Sequence, residues 1–85
     1  MANYSIEIKK SAAKEIQNLP STEIKTILSK IEQLSENPRP YNSLKLSDEE
    51  KYRIRVGRYR ILYHISDEQL LVTVVKVAHR KDVYK

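Results

Sequence analysis

Five of the ten residues from Lys51 to Arg60 are basic: Lys51, Arg53, Arg55, Arg58 and Arg60. No acidic residue occurs anywhere between 51 and 66. A guanidinium stays protonated at any pH a protein meets, and its planar N–H donors fit the oxygens of a phosphate or carboxylate. In a strand, residues two apart project to the same side, so Arg53 and Arg55 would stand about 7 Å apart on one face. Gly57 is the only glycine in the chain. If the chain reverses there, Arg60 on the returning strand comes close to Arg55. Taken singly, each arginine fits a solvated strand face, paired loosely with acids elsewhere. As an acid-free group they repel one another, and that points to an anion as their counterpart.

A second group lies in the closing stretch VAHRKDVYK, which supplies His79, Arg80, Lys81 and Tyr84. Cleavage of an RNA phosphodiester needs an acceptor for the 2′-hydroxyl proton, cations to neutralise the phosphorane and a donor for the leaving oxygen. A histidine, an arginine and a tyrosine beside a phosphate site are of the right types. Each also has a structural use: His79 can close a strand with a backbone hydrogen bond, and Tyr84 can pack the tail onto the core. His64 reads as structural. The sequence offers no Ser/His/Asp arrangement and no glycine-rich phosphate loop, and two histidines without a cysteine make a poor metal cage. Neither a metal nor another cofactor is expected.

These residues need a scaffold, and hydrophobic periodicity outlines one. Tyr4, Ile6 and Ile8 alternate, as in a short strand. From Ser11, a plausible N-cap, Ala12, Ile16 and Leu19 recur at helical spacing until Pro20 ends the helix. Ser21 or Thr22 then caps a second helix with an apolar stripe of Ile24, Ile27, Leu28, Ile31 and Leu34. After Asn37–Pro40, a brief edge strand spans Leu44–Leu46 and a polar turn spans Ser47–Glu50. Tyr52, Ile54 and Val56 alternate with Arg53 and Arg55, then Ile61, Tyr63 and Ile65 alternate with Arg60, Leu62 and His64. Asp67 and Glu68 make a turn before Leu70–Ala78, which is almost continuously apolar and β-branched and so predicts a central strand covered on both faces. The order β-α-α-β-β-β is α+β: a helical hairpin packed on a mostly antiparallel sheet.

The 85 residues suit one domain with a modest core and no disulfide support. Lys and Arg outnumber Asp and Glu by 16 to 11, a net charge of +5, which again favours an anionic partner. No apolar run approaches the roughly 18–20 residues of a membrane span, and MANYSIEIKK lacks a signal-peptide core, so a cytoplasmic protein without membrane contact is expected.

The β-α-α-β-β-β order, the segment YRIRVGRYRILYHI and the ending VVKVAHRKDVYK resemble the RelE/ParE superfamily of bacterial toxins over essentially the whole chain. The resemblance implies a toxin from a type II toxin–antitoxin pair. In the RelE branch that is a ribosome-dependent endoribonuclease, which cuts messenger RNA in the A site by 2′-OH attack. It also implies a RelB-like, acidic antitoxin that wraps and inhibits the domain, and through which the complex would reach operator DNA. The family's two strand lysines fall on Arg53 and Arg55, its Tyr-Arg arginine on Arg60, its post-strand arginine on Arg80, and its C-terminal tyrosine on Tyr84. Lys51, Arg58 and Lys81 would add substrate contacts. Arginine is a far poorer general base than lysine, so His79 is expected to share or take that role. Two other readings fit the same scaffold: a ParE-type gyrase inhibitor, favoured by the loss of the lysines, and a non-catalytic RNA- or ribosome-binding module.

Overall fold

The computed structural model describes residues 3–46 and 50–79. Its elements are β1 (Ser5–Ile8), α1 (Lys10–Gln17), α2 (Ser21–Gln33), β2 (Leu44–Lys45), β3 (Lys51–Val56), β4 (Tyr59–Ser66) and β5 (Leu71–His79). They form the expected α+β arrangement, with two helices on one five-stranded sheet ordered β1-β5-β4-β3-β2. Every pairing is antiparallel except β1 with β5, which is parallel. The expected turn at Ser47–Glu50 lies largely outside the described residues.

Alternation on β3 and β4 decides which face is covered. Tyr52, Ile54 and Val56 from β3 and Ile61, Tyr63 and Ile65 from β4 are buried beneath the helices, with Val72, Val74 and Val77 from β5 beside them. From above, Ala12 and Ile16 of α1, Ile27 and Ile31 of α2, and the following Leu34 close the core. Burial of side chains this size contributes about 1.5–3 kcal/mol each, so the core dominates the stability of a small domain without cross-links. The apolar stripe on α2 is narrower than the sequence suggests, because Leu28 remains 43% exposed. The helix starts also differ from expectation: the capping positions are Lys9 and Pro20, and neither supplies a side-chain hydrogen bond. Proline's fixed φ (here −57°) suits an extended residue entering a helix, and the Pro20 carbonyl accepts from the N–H groups of Glu23 and Ile24. Ser11 and Ser21 therefore sit within the first turns.

β5 is an interior strand, but β4 occupies the middle of the sheet. Helices cover only one face of β5, and on the other Leu71, Thr73 and Val75 are half-buried. The largely apolar run hides a register shift opposite Leu62/Tyr63, where Val75 is the extra residue: Leu62 pairs with Lys76 and Tyr63 with Val74. The helix layer satisfies the disturbed backbone. Glu15 of α1 accepts from the Val77 N–H at 2.9 Å through Oε1 and from Lys76 Nζ at 3.2 Å through Oε2.

The end of the sheet away from the Gly57 turn is held by Arg39, in the loop after α2. Its guanidinium donates from Nη1 and Nη2 to the two oxygens of Asp67 at 3.2 and 2.9 Å. Nη2 also donates to Glu50 at 3.0 Å, and Nε to the Tyr52 hydroxyl at 3.0 Å. Tyr4 adds a 2.6 Å bond to Asp67, which ties the approach to β1 into the same cluster. Below it Tyr52 stacks on Tyr63, and the Tyr63 hydroxyl donates to the Pro38 carbonyl at 2.7 Å. Burial pushes the Tyr63 hydroxyl up to about 12. Arg39 holds both Asp67 and Glu50 below their ordinary carboxylate values of 3.8 and 4.5, with help from Tyr4 and Tyr52 respectively.

Two outcomes follow. Glu15→Ala strands the Val77 N–H and should lower the unfolding free energy by about 1–3 kcal/mol, read as a lower urea midpoint with unchanged slope. For the Arg39 cluster, carboxylates with lowered folded-state pKa values stabilise the fold above their unfolded values. They lose that contribution as pH falls through the folded ones. Wild-type protein should therefore lose stability as pH drops below 4.5 and then 3.8. Arg39→Met should be less stable at neutral pH and show a flatter decline over the same acid range. Parallel curves for the two proteins would count against the cluster.

Candidate nucleic-acid interface

The face of the sheet turned away from the helices carries the cations. Cross-strand register sets them in rows: Arg55 opposite Arg60, Arg53 opposite Leu62, and Lys51 opposite His64. Residues so paired have Cβ atoms about 4.5–5.5 Å apart. Arg55 and Arg60 therefore stand side by side, with Arg53 one alternation further along β3. The hairpin closes at Gly57–Arg58, where Gly57 has φ +60° and Arg58 does not share a positive φ, the pattern of a II′ turn. That turn makes Val56 pair with Tyr59, and so makes Arg55 pair with Arg60. A residue with a Cβ at Gly57 would meet no steric obstacle but would have to adopt the left-handed region.

The three arginines differ in environment. Arg55 is exposed, Arg53 is half-buried and Arg60 retains only 3% of its surface, so Arg60 forms the floor of the group and Arg55 its rim. Arg58, at the tip of the turn, and Lys51, at the start of β3, are both exposed. Among the described residues, neither Arg55 nor Arg58 has a carboxylate within ion-pair distance. The nearest acid in sequence, Glu50, is engaged by Arg39 and Lys45. Such a face is a field of fixed positive charge, suited to phosphate oxygens.

The structure does not bring His79 to this face. Arg60 pairs with Ala78, so the next residue of β5 points the other way. His79 instead pairs with Tyr59, and their rings meet edge to face at 5.6 Å. Tyr59 packs against the core, which places His79 on the helix side, with Glu15, Asn18 and Leu19 around the same depression. Arg80, Lys81 and Tyr84 lie outside the described residues. Sequence reading also passed over the apolar members of the open face. Leu62 is half-buried in the row between Arg53 and β5, and Leu44, 49% exposed, pairs with Arg53 from the edge strand. The alternation Arg60-Leu62-His64 carried that signal for Leu62.

Comparison with known proteins adds four findings. The family described as "ParE toxin of type II toxin-antitoxin system, parDE" matches residues 6–84. The mRNA interferase toxin RelE of Escherichia coli K12 is 31% identical over 80 residues, covering 92% of this chain and 84% of that protein. Among solved structures, the toxin–antitoxin complex RelBE2 from Mycobacterium tuberculosis contains a chain with TM-score 0.82 and 27% identity, covering 93% of this chain and all of that one. The intact E. coli RelBE complex gives 0.78 and 29%, covering 89% and 95%.

If the open face meets a polyanion, the salt dependence of binding should report each cation that touches it. Arg55→Ala should reduce the slope of log affinity against log salt by about 1 for a short single-stranded RNA. His79→Phe, which keeps an aromatic ring against Tyr59, should leave that slope unchanged. Equal slopes for wild type and Arg55→Ala would remove Arg55 from the interface.

Proposed function

The chain belongs to the ParE toxin family of type II toxin–antitoxin systems, and from that premise we propose that it is a RelE-type toxin. In this reading it is an endoribonuclease that cuts messenger RNA in the ribosomal A site and is held inactive by a RelB-like antitoxin. The family description carries the ParE name, whereas the similar proteins and complexes carry RelE names. The observation that carries the RelE reading is the Arg55–Arg60 pair, with Arg53 beside it, on the face opposite the two described helices.

In the proposed reaction the 2′-oxygen of the nucleotide before the cut attacks phosphorus and the 5′-oxygen of the next nucleotide leaves. A 2′,3′-cyclic phosphate and a 5′-hydroxyl end result. Arg55 and Arg60 hold the non-bridging oxygens and neutralise the charge that grows on them, and Arg53 extends the grip. Because this cradle is set by strand register, little reorganisation is needed when the charge develops. Arginines do not accept the 2′-hydroxyl proton, and His79 is separated from the cradle by the sheet. The proposal therefore assigns proton transfer to the ribosome or to the C-terminal segment. In that segment Arg80 would supply a further cation and Tyr84 would orient the RNA near the cleaved bond. Lys51, Arg58 and Lys81 would bind substrate at the rim.

A second reading, inhibition of DNA gyrase through protein contacts, is favoured by the parDE description and by arginine standing where the RelE branch has lysine. One experiment separates the two. The protein is induced in cells, transcript 5′ ends are mapped with and without translation, and gyrase supercoiling is assayed in parallel. New ends that require translation, with supercoiling unaffected, are expected. Arg55→Ala should lower the cleavage rate by about 10²–10³, the range for loss of one charge-stabilising donor, and reduce ribosome association far less. Intact transcripts with blocked supercoiling would overturn the nuclease reading.

A further inference from the structure

Four residues along β3 from Arg55, or about 13 Å at strand rise, the open face carries a concavity of about 270 Å³. Its walls are Lys9, Lys51, His64, Thr73 and Val75. Register brings them together: Lys51 pairs with His64, and His64 with Thr73, in one row across β3, β4 and β5. Lys9 arrives through the parallel strand. Glu7 pairs with Thr73, and Lys9 lies two residues further, its N–H bonded to the Val74 carbonyl at 3.0 Å. The concavity thus gathers two lysines, a histidine and a threonine from four chain segments, and Glu7 pairs with its Thr73 from β1. Between this row and the Arg55–Arg60 row lies half-buried Leu62, paired with Arg53.

We infer that this concavity is a second phosphate subsite for the RNA strand whose cleaved phosphate sits at Arg55 and Arg60. The inference rests on the nuclease reading above. Lys9, Lys51 and Thr73 donate to the oxygens of a phosphate further along the strand, with His64 beside them. Leu62 and Val75 form an apolar floor on which an intervening base lies. The geometry favours an extended polyanion over an isolated carboxylate, because the two cationic rows share one face and one strand direction, with an apolar step between them. Base contact with aliphatic carbon is sequence-tolerant and phosphate contact carries no sequence information, so this subsite supplies grip and register rather than codon choice.

The test uses fluorescein-labelled oligouridylates of two and six nucleotides, with binding followed by anisotropy at several salt concentrations. The double variant Lys9→Ala/His64→Gln should bind the hexamer about tenfold more weakly, the scale of one charge-assisted hydrogen bond. Its salt slope should fall by about 1, and its dinucleotide affinity should stay as in wild type. Arg55→Ala should weaken both oligomers. In proton NMR spectra the His64 imidazole signals should move with the hexamer and not with the dinucleotide. Wild-type hexamer affinity in the double variant, with Arg55→Ala still weakened, would overturn the subsite and leave the nuclease reading standing. Undiminished binding of both oligomers by Arg55→Ala would overturn the two together. If His64 signals respond to an acidic peptide from the antitoxin and not to the hexamer, the concavity is a protein-docking surface and the inference fails.

Discussion

A two-residue period on β3 and β4 is the constraint from which the rest of the molecule follows. Each apolar side chain that the helices bury obliges its neighbour to face the opposite side, and on these strands most of those neighbours are cationic. Core formation and charge display are therefore one event. A single-residue slip of β3 against β4 would expose Ile54 and Val56 and drive Arg53 and Arg55 toward α2, losing buried aliphatic groups and burying charge. The II′ turn at Gly57 guards against that slip at one end of the hairpin, and the Tyr52–Tyr63 stack under Arg39 guards against it at the other.

The two ends of the sheet have different electrostatic characters. Around Arg39, opposite charges are matched: one guanidinium serves two carboxylates and the hydroxyl of a tyrosine, and a second tyrosine binds one of the carboxylates. Its oxygens and donors are largely used within the cluster, and the cluster joins the α2–β2 loop to the ends of β3 and β4. Around the Gly57 turn the described acids are absent and positive charge accumulates. On the proposed reading, the first end fixes the sheet and the second is where an external anion meets it. The division matches the partition between stability and binding expected where functional groups are mounted on a rigid scaffold.

Much of the architecture was legible because amphipathic elements announce themselves. Alternation located β1, β3 and β4, the i, i+3, i+4 pattern located both helices, and the lone glycine located the hairpin. What escaped was encoded outside local pattern. Leu70–Ala78 is apolar except at Thr73 and Lys76, three residues apart and out of step with strand alternation, so the pattern does not state which residues face the helices or that Val75 adds a residue to the strand. Without that phase, His79 could be assigned to either side, and counting from buried Val77 puts it with Tyr59. The parallel placement of β1 was invisible for a related reason, since pairing across the chain depends on the whole sheet. The caps misled because Ser11 and Ser21 are good capping types, yet Lys9 and Pro20 already hold the extended backbone geometry that starts each helix. Lys9 and Thr73 could not be joined to the arginine-bearing face until register was known.

The parallel β1–β5 pairing sets the order in which the molecule can be completed. Ser5 meets Leu71, so the first strand waits for nearly the entire chain to be synthesised before its partner exists. Until then Ile6 and Ile8 lack the strand edge beside Val72 and Val74, and the helix layer lacks part of its floor. The arginine hairpin is built from local contacts and can form early, but the wall that includes β5 and Lys9 cannot. A chain interrupted before residue 71 would carry the cations without the surface that aligns them. The pairing thereby separates, in chain order, the residues that bring the positive charge from the strand contact that completes the sheet beneath it.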